Sequence, residues 1–116
     1  MAGSSAGGGT GVPEEALIAL FVAQHRHSPE DCPASHGRGE LLLSHISTAT
    51  AARYGIAIEA EAFIGTQHVL LLVVEAVSLE AVERFLAVLP GPGDLTILPA
   101  STAEEAVERG NCEPSA

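Results

Sequence analysis

Apolar positions fall along the chain in short runs whose spacing alternates between that of a strand and that of a helix. The run Ala16–Gln24 (Ala-Leu-Ile-Ala-Leu-Phe-Val-Ala-Gln) is almost continuously apolar and ends in polar residues. Its length and the turn residues after it predict a buried strand. Ser28–Gly39 holds two prolines and two glycines among Ser and Asp residues, which predicts a loop. From Glu40 the spacing turns helical, with Leu42, Ile46 and Ala49 on one stripe. Gly55 is the expected left-handed residue that ends this helix.

Beyond Gly55, Ile56, Ile58, Ala60 and Ala62 alternate with Ala57, Glu59, Glu61 and Phe63. A period of two marks a strand with one wetter face. Gly65-Thr66-Gln67 turns the chain into a second apolar strand, Val69–Glu75. Ser78 is the expected N-cap of a helix, with Ala81 where a reciprocal capping box would need Glu or Gln. Leu79, Val82, Phe85, Leu86 and Leu89 form its apolar stripe, and Pro90-Gly91-Pro92-Gly93 ends it. Leu95–Leu98 reads as a fourth strand. Ala103–Arg109 reads as a short terminal helix introduced by Ser101 and Thr102.

The order β-α-β-β-α-β predicts an α+β fold of the ferredoxin-like type with a four-stranded antiparallel sheet. Two helices cover only one face of such a sheet, and the other face is too apolar to leave in water. Pairing of two sheets would bury it, so a homodimer through sheet faces, of the dimeric α/β-barrel type, is expected. The expected domain spans 14–112, between a Gly/Ser-rich tail at 1–13 and a short C-terminal end at 113–116.

Composition narrows the function. Hydrophobic residues make up 47% of the 116 positions but aromatics only 3%, so the core has to be built from Val, Leu, Ile and Ala. The net charge is −10 and the five basic residues are all Arg. Nucleic-acid binding depends on neutralising phosphates with basic side chains, and this charge balance argues against it and against anionic membranes. No stretch reaches the ~20 apolar residues of a membrane span. Met1–Pro13 lacks the basic and apolar regions of a secretory signal. A cytoplasmic location is therefore expected, in which Cys32 and Cys112 are free thiols or ligands rather than a disulfide.

The chemistry concentrates in His25-Arg26-His27-Ser28-Pro29-Glu30-Asp31-Cys32-Pro33, a His-x-His-x4-Cys segment. Residues two apart on a strand point to one face, so His25 and His27 are expected side by side. The following loop is long enough to return Cys32 to them. In the expected strand order, His68 opens the third strand where the first one ends, which would bring it beside His27. Imidazole and thiolate suit Zn, Cu or Ni, giving His25, His27, Cys32 and His68 as candidate ligands of a transition metal. His45, on the first helix, is a further candidate ligand, partner of a ligand or packed core residue. His36 reads as solvated. Glu59 and Glu61 are expected to share a strand face. No phosphate-binding loop or nucleophile elbow is present.

The His25–Pro33 segment, Ala51-Ala52-Arg53-Tyr54-Gly55, the His68 strand start, Pro99-Ala100-Ser101 and Gly110-Asn111-Cys112 together resemble a group of short, uncharacterised bacterial proteins of the dimeric α/β-barrel type. The resemblance covers most of the chain beyond the Gly-rich tail. It implies that His25, His27, Cys32, His45, His68 and Cys112 are the positions of interest, and it implies no activity. Two further expectations stand beside metal binding. One is an enzyme acting on a small molecule with a His general base; the other is a thiol pair of Cys32 and Cys112.

Overall fold

The computed structural model describes residues 18–35 and 37–113. The expected tail at 1–13, the first residues of the expected first strand, His36 and the last three positions lie outside them. β1 (Ala19–Arg26), β2 (Ile56–Ile64), β3 (Val69–Ala76) and β4 (Asp94–Ala100) form one antiparallel sheet in the order β2-β3-β1-β4. The helices are α1 (Gly39–His45), α2 (Thr48–Arg53), α3 (Leu79–Leu86) and α4 (Ala103–Arg109). This is an α+β chain with the strand order of the ferredoxin-like fold. Among the described residues, no helix is long and apolar enough to cross a membrane.

The core lies on one face of the sheet, where Phe21, Ala23, Leu70, Leu72 and Val74 meet Val82, Phe85 and Leu86 of α3 and Leu42 of α1. Phe85 and Val82 are completely buried. Ser78 caps α3, its hydroxyl accepting from the Ala81 N–H at 3.1 Å. The opposite face carries a row running across all four strands, Ala60, Val73, Val22 and Leu98. α4 folds over one end of that face, near Leu20 and Glu75. It opens with a full capping box between Thr102 and Glu105.

Four local expectations need correction. The helix from Glu40 to Gly55 is two helices, because Ser47 breaks it. The Ser47 hydroxyl donates to the Ser44 carbonyl at 2.8 Å and accepts from the Thr50 N–H at 3.3 Å. A serine that can satisfy both backbone groups competes with the continuous helical ladder. Ala49 is consequently exposed, and Ala51 takes the buried position. Gly55 does adopt a left-handed φ of 76° just beyond α2.

The alternation of β2 is interrupted by a bulge between Ile58 and Ala60. Ile58 pairs with buried Val74, whereas Ala60 pairs with Val73 and Glu61 with Leu72. One extra residue shifts the pleat, so Ala60 and Ala62 leave the face of Ile56 and Ile58. Glu59 lies beside Glu75 on the open face, and Glu59 and Glu61 do not share a face. Leu79 is 43% exposed and lies outside the buried stripe of α3. Finally, β1 continues past Gln24 to Arg26, carrying His25 into the sheet.

Candidate functional site

His25 and His27 follow Phe21 and Ala23 along the same face of β1, as a two-residue period requires. Both rings are buried, at 4% and 6% exposure. Their Nδ1 atoms face each other at 3.3 Å, with ring centroids 5.3 Å apart. At that separation one ring can donate an N–H to the other, in a direction set by the tautomers. Burial and the neighbouring His27 hold the pKa of His25 below the ordinary imidazole value, against weaker upward contributions led by a hydrogen bond to the Gly91 backbone. The neutral ring, with a lone pair free for a ligand bond, is thus the favoured form.

The turn after α3 fixes the far edge of His25. A Cβ on Gly93 would stand 2.5 Å from His25 Nε2 and 2.7 Å from Cε1, so the glycine backbone lies flat against the ring. The His25 Nδ1 is turned to His27, which leaves Nε2 on the side of the Gly93 backbone. Gly91 itself has φ +88°, and a Cβ there would stand 2.5 Å from the Asp31 carbonyl oxygen. The loop carrying Cys32 therefore folds back onto the turn that covers His25.

His68 lies beside this pair. The His27 N–H donates to the His68 carbonyl at 3.0 Å, and the two rings meet edge to face at 6.1 Å. Phe63 closes another side of His27 at 6.3 Å. His68 sits in the left-handed region, at φ 55° and ψ 50°, and is the one non-glycine residue with positive φ among those described. Such a conformation costs a residue of this kind about 1 kcal/mol or more and is concentrated at functional positions.

The remaining candidates stand apart from the pair. His45 Nε2 bonds the Phe85 carbonyl at 2.6 Å, and its ring stacks on Phe85 at 4.5 Å with Tyr54 against its edge. It is a packing residue of the α1–α3 junction. Cys32 is half-buried and Cys112 exposed, and both are free. Among the described residues, no group of three or more His, Cys, Asp or Glu side chains converges closely enough to hold a metal ion. His25 and His27 are what the fold brings together, with His68 a neighbour. Nothing in the local pattern of the chain marks the Gly91–Gly93 turn as the support of His25, because the close approach spans distant segments.

A cavity of about 640 Å³ opens at the other end of β1, between Leu20, Glu75 and Ala100 on the sheet and Ala106, Arg109 and Cys112 at the C-terminal end. None of the candidate histidines lines it. Burial raises the Glu75 pKa above the usual carboxylate range, reinforced by the charge and hydrogen bond of Glu59 and by Glu105.

Fold and site thus define a small α+β protein with a ferredoxin-like strand order and a buried histidine pair at the end of its first strand. Comparison of the chain with protein-family profiles, curated proteins and solved structures gave no match.

Proposed function

We propose that the protein binds a transition-metal ion through the Nδ1 atoms of His25 and His27. The observation that carries this reading is the approach of those two atoms to 3.3 Å inside a buried site. Two buried imidazole nitrogens this close can turn toward one shared ion in place of the ring-to-ring contact that joins them. His68 is the nearest further donor, and its left-handed backbone supports a selected position. Cys32 supplies a thiolate if its loop moves inward, and solvent takes any position left over. His45 is not part of this proposal.

The resemblance to small bacterial proteins of the dimeric α/β-barrel type remains a proposal alongside it, as does a homodimer formed through the apolar row of the open sheet face. A His general base acting on a small molecule gains no support from the cavity, whose walls include none of the candidate histidines.

Metal analysis of full-length protein purified without an affinity tag tests the reading. We expect close to one ion per site, falling to background in His25→Ala and His27→Ala, with retention of the fold checked by circular dichroism. His68→Asn keeps a residue that tolerates the left-handed region and is expected to weaken binding about tenfold, as loss of one supporting group does. Metal content that ignores both His25→Ala and His27→Ala rules the reading out.

A further inference from the structure

Glu75 on β3, Leu20 on β1 and Ala100 on β4 stand in one row across the sheet, at the end of β1 away from the histidines. Directly paired residues of neighbouring strands share a face, so all three side chains rise from the open face. α4 passes over that row, and the space between them is the cavity of about 640 Å³. Pockets for small molecules are of this size. Leu20, Ala100 and Ala106 give it apolar surface, whereas Glu75, Glu105, Glu113 and Arg109 bring both signs of charge.

Neither sign is answered by its opposite. Arg109 is half-buried, and its Nη2 donates to the Ser101 hydroxyl at 3.0 Å and to the Cys112 carbonyl at 2.6 Å. Both acceptors are neutral. The Arg109 Nε is buried and has no hydrogen-bond partner among the described residues. Buried donors are nearly always paired, and a carboxylate is the usual partner of a guanidinium. Glu105, one helical turn before Arg109, is instead held in the Thr102 capping box. On the acidic side, burial and then Glu59 and Glu105 raise the Glu75 pKa. A neighbouring cation would lower it.

We infer that this cavity binds a small zwitterion of the amino-acid or dipeptide class. Its carboxylate meets the Arg109 guanidinium, its ammonium lies toward Glu75, and its apolar side chain rests on Leu20, Ala100 and Ala106. A ligand with negative charge alone would face three carboxylates in the walls, and one with positive charge alone would face the guanidinium. A molecule carrying both charges is attracted by both. The site is separate from the histidine pair and does not depend on metal binding there.

Isothermal titration calorimetry of the full-length protein tests the inference, with leucine and leucyl-leucine as probes. Isocaproate and isoamylamine serve as analogues that keep the apolar group and one charge each. The expected result is one site per chain for at least one zwitterion, bound about tenfold or more tighter than either analogue. Arg109→Gln should weaken that binding by about tenfold or more. Glu75→Gln should remove the preference for the zwitterion over isocaproate. Ala106→Phe fills the cavity without removing a charge and should abolish binding. α4 has no buried residue, so the changes at Ala106 and Arg109 should leave the circular dichroism spectrum unaltered. No heat from either zwitterion at millimolar concentration, or binding indifferent to Arg109→Gln and Ala106→Phe, overturns the inference. Isocaproate binding as tightly as the zwitterion overturns it too.

Discussion

Two residues show how position, rather than type, sets what a side chain does here. Gly93 lies against the His25 ring, and a Cβ there would also stand 2.7 Å from the Arg26 carbonyl oxygen. Gly93→Ala therefore forces a shift of backbone or ring, and is expected to cost about 1–3 kcal/mol in chemical denaturation. If the proposed metal site is right, it should weaken metal binding as well, because the ring that moves carries a proposed ligand atom. Glu75 is the other case. Its folded pKa is raised by burial, then by Glu59 and Glu105, so the fold binds its proton more tightly than the unfolded chain does. The stabilisation is present below the unfolded carboxylate pKa and is lost as pH rises through the raised folded value. Glu75→Gln should therefore be more stable than the wild type at neutral pH. That advantage should shrink as pH falls through the carboxylate range, and thermal denaturation across pH measures it.

At the scale of single elements, two capped helices should respond differently to loss of their caps. Ser78 caps α3, which packs Val82, Phe85 and Leu86 into the core. Ser78→Ala is expected to lower global stability by about 1 kcal/mol. Thr102 caps α4, which has no buried residue. Thr102→Ala should leave the global transition nearly unchanged while amide protection in α4 falls, since weakly packed elements open locally. Hydrogen exchange alongside denaturation separates the two outcomes. The break between α1 and α2 has a role of the same kind: by ending α1 at His45, it brings that ring onto Phe85 and its carbonyl.

At the scale of the whole molecule, the sheet has one face sealed by α1, α2 and α3 and another carrying Ala60, Val73, Val22 and Leu98 in one row. Leu98, on the edge strand β4, is 49% exposed. For the proposed sheet-to-sheet homodimer, sedimentation should give twice the chain mass for the wild type. Leu98→Asp should give the monomer mass with an unchanged circular dichroism spectrum. A monomeric wild type at micromolar concentration would remove the dimer and leave the histidine site unaffected, because His25 and His27 lie on the sealed face.

The strand order, the paired direction of His25 and His27 and the nearness of His68 to His27 were legible from the chain alone. They depend on period, element order and the short turn at Gly65–Gln67, all of which are local patterns. The bulge in β2 and the break at Ser47 were not, since each trades one set of backbone hydrogen bonds for another of similar strength, and packing decides between them. Nor could the sequence set the 3.3 Å between the Nδ1 atoms. Rotamers and the pressure of Gly93 on the ring arise only when segments some sixty-five positions apart come into contact. Local periodicity fixes which way a side chain points, whereas the distance between two nitrogen atoms belongs to the packed interior.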